Sequence, residues 1–203
     1  TEAIAANAAA RIAREVGAKY YGVHTSCGEA AEVLAAHRDD GTKIRAETCT
    51  HYTALTDERY ESDGALPRIA PPLRTAADRD ALFDHLRRGS LQVVSTDHVA
   101  QSAATKTESD WWEGPYGANS LQRSLQVFQH EAVAERNLSY PFVVRVMCAN
   151  PARTFGLPDK GTLDPGTDAD VVLFDPTASE EITAADNASV ADYSLYEGRQ
   201  VTG

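Results

Sequence analysis

Three residues whose side chains bind metals or carry protons close three short apolar runs. His24 ends YYGVH (20–24), His51 follows KIRAETC within AETCTH (46–51), and Asp97 ends VVSTD (93–97). Each run is rich in β-branched or aromatic residues and reads as a strand. In a (β/α) barrel the C-terminal ends of the strands line one mouth, where active sites are built. Two imidazoles and a carboxylate converging there form a donor set for a borderline divalent ion such as zinc. A lone strand-end histidine is more often a hydrogen-bonded polar residue than a ligand; three candidates at successive strand ends carry the argument.

Competing uses of the same residues are weaker. Cys27 and Cys49 with His24 and His51 could form a structural zinc site, but the spacing lacks a Cys-x-x-Cys clip. Cys49 and Cys148 read more simply as buried apolar thiols. His98, beside Asp97, reads as a residue supporting the site or facing substrate, whereas His37, His85 and His130 fall in helical patterns as surface or packing residues. Trp111 and Trp112 either close over a ring substrate or anchor their own loop. Asn137 and Asn187 match the N-x-Ser pattern, with no secretory context to give it meaning.

The elements that must position these residues alternate. Apolar positions in 3–15 recur at helical spacing before the first run. GEAAEVLAAHRDD (28–40) is helical up to Gly41, and TAADRDALFDHLRRG (75–89) opens on a Thr N-cap with acids early and arginines late. Three helix–strand units in succession predict a parallel α/β sheet, because parallel strands need crossover connections. Residues 99–120 form a long Gly/Ser/Thr-rich loop containing WWEGPYG, a candidate lid or substrate loop. Residues 120–135 and 140–156 read as two helices. From about 157 the character changes to turn glycines and one strongly apolar strand, ADVVLFD (169–175). The expected organisation is residues 1–156 as barrel and 157–203 as the start of a β-rich segment.

The chain of 203 residues carries 30 Asp and Glu against 19 Lys and Arg, a net charge of −11, which repels nucleic acid and anionic lipid. Carboxylate excess with only four lysines also suits a salt-adapted, halophilic source, where screening removes self-repulsion. No apolar run reaches membrane-spanning length. Three cysteines at wide spacing fit thiols in a reducing cytoplasm. The N-terminus has no initiator Met and no signal pattern, and opens inside an amphipathic helix, so the chain reads as a piece of a longer protein.

Taken in order, GVHTSCGEAAEVL, AETCTHYTALTDERY, APPLR, VVSTDH, NPARTFGL, KGTLDPGTDADVVLFDP and DYSLYEG resemble the second half of the hydantoinase/dihydropyrimidinase branch of the amidohydrolase superfamily. The resemblance implies a partial (β/α)8 TIM-type metal-dependent hydrolase barrel followed by strands of a small β-sandwich. It implies hydrolysis of a cyclic amide (a hydantoin, dihydropyrimidine or allantoin) at a binuclear zinc site, in a homo-oligomer that is a tetramer in the family. By motif, His24 and His51 are similar to the second metal's histidines and Asp97 to the aspartate that binds the first metal and shuttles a proton. The family's His-x-His pair and bridging lysine have no counterpart here, so the chain is expected to be the enzyme's C-terminal half, weak in zinc binding and nearly inactive alone. Exposed sheet edges follow from such a severed barrel. At the substrate positions Tyr116 and Asn119 stand in GPYGANSLQ where the family has Pro-Asn-Gly, and Ala70 replaces a Ser. A non-catalytic dihydropyrimidinase-related scaffold is the alternative.

Overall fold

A computed structural model describes residues 1–108 and 110–203; Ser109, inside the expected 99–120 loop, lies outside the described residues. Helix α1 (Glu2–Val16) buries Ala3, Ala6, Ala10 and Ala13, the i, i+3, i+7, i+10 stripe of one helical face. It ends where Gly17 turns left-handed at φ 68° and its N–H returns to Ala13 and Arg14. Strand β1 (Tyr20–Gly22) leads to α2 (Gly28–Asp39), which packs Ala30, Ala31, Leu34 and Ala35 inward. Any Cβ at Gly22 would lie 3.0 Å from Leu34 Cδ1, so the glycine lets α2 approach the strand.

Strand β2 (Ile44–Cys49) runs directly into α3 (Thr50–Ala54), followed by α4 (Arg59–Asp63) and α5 (Ala76–Arg88). Thr75 caps α5 as predicted, its Oγ1 accepting from Asp78 N at 3.2 Å, and Gly89 closes the helix left-handed. Strand β3 (Val93–Ser95) completes a three-stranded parallel sheet in the order β1-β2-β3. Gly22 pairs with Ala46, and Cys49 with Ser95. The parallel α/β sheet is thus the one expected from the alternating pattern.

The long loop holds the short α6 (Ala103–Thr107). Both predicted later helices are present, each interrupted. Helix α7 (Ser124–Gln129) continues through a π-helical turn at His130–Ala134, and α8 (Tyr140–Val144) passes through another at Arg145–Ala149 into α9 (Asn150–Phe155). The second turn lies against Pro151, which has no N–H and whose ring crowds the carbonyl four residues earlier.

The C-terminal region departs from expectation. ADVVLFD forms no strand: Val171, Val172 and Leu173 are exposed, Leu173 at 93%. Apolar alternation supplies a strand's local preference, but a strand needs a ladder partner, and none pairs with this run among the described residues. The observed ladder is instead β4 (Ser179–Glu181) with β5 (Gln200–Thr202), antiparallel, Ser179 opposite Thr202. Ile182, Leu195, Tyr196 and Val201 join the same buried cluster as Leu82, Leu86, Val94, Val127 and Phe128. Cys148, expected buried, is exposed, while Cys49 is buried as expected. No helix among the described residues is long and apolar enough to cross a membrane.

Candidate functional site

His24, His51 and Asp97 share one offset: each stands two residues beyond the last residue of its strand, after Gly22, Cys49 and Ser95 respectively. The parallel register therefore brings all three to one edge of the sheet. Their backbones differ. His51 lies in the first turn of α3 rather than on the strand itself, whereas His24 and Asp97 are left-handed, at φ 41° and 42°. A side chain there costs about 1 kcal/mol or more and persists only where the surroundings impose it. Here Thr25 N donates to Glu47 O at 2.9 Å, Thr48 Oγ1 to Thr25 O at 2.8 Å, and Ser120 Oγ to Thr96 O at 2.6 Å, pinning the chain beside both residues.

His51 is 1% exposed, and neither Nδ1 nor Nε2 has a hydrogen-bond partner among the described residues. Burial, then the charges of His24 and Lys106, pushes its pKa down to about 3, so the ring is neutral at physiological pH. His24 Nδ1 is likewise buried without a partner. An unpaired buried polar atom costs roughly 1–3 kcal/mol, and native structures rarely leave two on one ring without a use. Neutral imidazoles with free lone pairs are what zinc takes as ligands, so His51 fits that metal, and the unpartnered Nδ1 of His24 offers a second nitrogen donor. Asp97 is exposed on the same edge, and its charge raises the pKa values of Cys49 and Tyr52, although burial is the larger cause for both. Among the described residues no three His, Cys, Asp or Glu side chains are grouped to hold a metal ion. The mixed Cys27/Cys49 zinc alternative is not formed either.

Glu47 was not anticipated from sequence. It lies on the same side of β2 as Cys49, where its carboxylate accepts from Tyr21 Oη at 2.6 Å and from the backbone N–H of His24 at 3.4 Å. Strand alternation from Cys49 is the signal that could have found it. Cys49 Sγ and Ser95 Oγ, 3.3 Å apart, tie β2 to β3 on that side.

The long loop is wound around two fully buried cations. Arg68 donates to the carbonyls of Pro115, Asp110, Trp111 and Lys106, and Lys106 Nζ donates to Gly117 O at 2.6 Å and to Arg68 O. Burial, then the Arg68 charge, brings the Lys106 pKa down to about 8. Trp111 packs edge-on against Tyr60 and under Arg68, which makes it an anchor of the loop, while Trp112 is 80% exposed. Tyr116 also lies by the Arg68 guanidinium. Asn119 is buried: its Nδ2 donates to Tyr193 O, and its Oδ1 has no partner. His98 Nδ1 accepts from Leu121 N at 3.1 Å, holding the loop next to Asp97, and Ala70 is exposed ahead of Pro71.

The sequence profile of the amidohydrolase family matches residues 5–201. A D-hydantoinase of Streptomyces coelicolor is 40% identical, aligned over 100% of this chain and 44% of its own length. An allantoinase of Enterococcus faecalis is 31% identical, over 99% of this chain and 44% of its own. The crystal structure of dihydropyrimidinase from Brevibacillus agri superposes with a TM-score of 0.94 at 31% identity, covering 98% of this chain and 45% of that one. The chain therefore spans under half the length of these relatives.

Proposed function

The chain belongs to the amidohydrolase family, and on that premise we propose that it carries the second-metal histidines and the proton-shuttling aspartate of a zinc-dependent cyclic amidohydrolase. One observation carries this: His51, buried and neutral with both ring nitrogens unpartnered, two residues past its strand and within electrostatic reach of His24. His24 and His51 would hold zinc, with Asp97 completing the set. Zinc bound there supplies Lewis acidity toward an amide carbonyl and makes water acidic enough to attack near neutral pH. Asp97, exposed at the edge, takes the proton of the attacking water on a carboxylate oxygen and returns it to the departing ring nitrogen. Glu47 fixes the His24 backbone, and the wound loop leaves Tyr116 exposed for contact with the ring, while Asn119, buried against Tyr193 O, holds the loop that carries it.

The substrate class is a five- or six-membered cyclic ureide or imide, as the names of the hydantoinase, allantoinase and dihydropyrimidinase relatives suggest. The same reading makes the protein a cytoplasmic homo-oligomer, with 1–156 as barrel and 157–203 as the start of the sandwich. A non-catalytic scaffold is the second reading, favoured by the lack of a three-donor group among the described residues. The deciding experiment measures zinc binding by calorimetry and, in a protein of the relatives' full length that carries these 203 residues, ring opening of hydantoin, dihydrouracil and allantoin. Asp97→Asn keeps shape and tolerates the left-handed backbone; it should lower turnover by about 10²–10⁴-fold. Equal turnover in the variant would remove Asp97 from the chemistry, and unchanged zinc binding in His24→Ala/His51→Leu would leave the scaffold reading.

A further inference from the structure

Asp97 is held by the far end of its own loop. The chain leaves β3 through Thr96, Asp97 and His98, winds through α6, and returns as residues 117–121 alongside the residues it left. The returning segment grips both flanks of Asp97. On one side Ser120 Oγ donates to Thr96 O at 2.6 Å. On the other His98 and Ala118 form a parallel bridge, Val99 N donates to Ala118 O at 2.9 Å, and Leu121 N donates to His98 Nδ1 at 3.1 Å. Gly117 permits the close approach, since any Cβ there would lie 2.3 Å from Val99 Cβ.

Lys106 fixes the start of this segment. Its ammonium donates to Gly117 O at 2.6 Å and to Arg68 O at 2.9 Å, and Arg68 O also accepts from Gly117 N at 3.1 Å. Lys106, Gly117, Ala118 and Ser120 are all buried by residues of this chain, so these contacts are complete within it. Asp97 stands at φ 42°, a backbone that persists only where its surroundings impose it. Hydrogen bonds on both flanks supply that constraint, and the Lys106 anchor decides where they stand.

Resting on the proposed proton-transfer role of Asp97, we propose that Lys106 and Ser120 are positioning residues for its carboxylate: Lys106 sets the register of residues 117–121, and Ser120 ties that segment to the backbone that carries Asp97. A reacting group displaced by about 1 Å costs up to about 10²-fold in rate, so the effect falls on turnover rather than on substrate affinity.

The test is a double-mutant cycle on ring opening of a cyclic ureide by zinc-loaded protein of the relatives' full length that carries these 203 residues. Lys106→Met and Ser120→Ala should each lower kcat about 10- to 100-fold, with KM within about threefold of the parent. In an Asp97→Asn background either substitution should cost less than about twofold more, because a residue that works through Asp97 has nothing left to position. In the same protein without metal, labelled with ¹³C-aspartate, the Asp97 Cα resonance, identified by its loss in Asp97→Asn, should shift in both variants. Where Lys106→Met fails to fold, Lys106→Gln, which keeps an N–H donor, takes its place in the cycle. Turnover retained in Asp97→Asn would overturn the proton-transfer reading, and the positioning with it. With Asp97→Asn impaired, the positioning alone is overturned by kcat retained in either variant, by losses that add in the double variants, or by an unmoved Asp97 resonance. A raised KM with kcat kept would overturn it too, assigning the segment to ring contact through Tyr116.

Discussion

Lys106 and Arg68 hold each other by the backbone: the ammonium of Lys106 donates to the carbonyl of Arg68 at 2.9 Å, and the guanidinium of Arg68 donates to the carbonyl of Lys106 at 2.8 Å. Neither side chain has a carboxylate partner among the described residues, so residues 106–108 and 110–117 are shaped by two cations that serve as hydrogen-bond hubs. Lys106→Met takes the ammonium from Gly117 O and leaves Arg68 O with only the N–H of Gly117, at about 1–3 kcal/mol of local opening free energy. Limited proteolysis of the loop should accelerate roughly 5- to 150-fold, the same energy expressed as an open population. Cleavage at the parental rate would show that the latch does not hold the loop.

The same residue gives a pH signature. The folded-state pKa of Lys106, about 8, lies below its ordinary 10.5. Between these values the unfolded chain binds the proton and the folded chain does not, so this group's contribution to stability rises with pH across the window. Lys106→Met lacks that rise. Urea denaturation should show the variant's deficit widening between about pH 8 and pH 10, the range below the ordinary tyrosine value. A deficit independent of pH would refute the assignment.

Gly114 sits where any Cβ would enter the Arg68 guanidinium. That group is held by four carbonyls and cannot swing aside cheaply. Gly114→Ala should therefore destabilise the chain by about 1–3 kcal/mol, read as a lower urea midpoint. Gly64→Ala is a useful contrast, because its strain is conformational alone, with open space around the Cβ. A neutral Gly114→Ala would mean that the guanidinium is not fixed.

His51→Leu exchanges a neutral buried ring with two orphan nitrogens for an apolar side chain. Without metal, the variant should be more stable by about 1–2 kcal/mol, a rise in Tm of roughly 2–4 °C per kcal/mol. Added zinc should raise the Tm of the parent and leave the variant unmoved. A variant less stable than the metal-free parent would show that the ring is satisfied by contacts other than a metal.

Val171, Val172 and Leu173 form an exposed apolar run with no ladder partner among the described residues. Such a segment pairs readily with another chain. Leu173→Lys should reduce concentration-dependent association in light scattering with no change in the melting curve. Association that persists unchanged would place the contact elsewhere.

What sequence made legible was whatever local pattern determines. The three strands, the Thr75 cap and the shared strand-end position of His24, His51 and Asp97 follow from apolar runs and capping chemistry. ADVVLFD misled because its alternation carries strand preference while pairing is decided by tertiary partners. Lys106 was invisible for the opposite reason: within a Ser/Thr/Gly-rich stretch it reads as a solvated lysine, and only the folded loop brings carbonyls from Arg68 and Gly117 to it. The left-handed backbones of His24 and Asp97 also escaped, because no glycine or asparagine marks either position.

Those two backbones make the site a record of selection. At φ 41° and 42° the backbone prefers glycine; histidine and aspartate are among the side chains that tolerate it best, yet each still costs about 1 kcal/mol or more there. A substitution that relieves such a cost is stabilising, and it is open to a lineage only once the side chain is no longer needed. A lineage that abandoned the chemistry would lose His24 and Asp97 early and gain stability in doing so, while His51, whose backbone is unstrained, would outlast them. The state of positions 24 and 97 across descendants therefore dates the loss of function more sharply than the state of position 51.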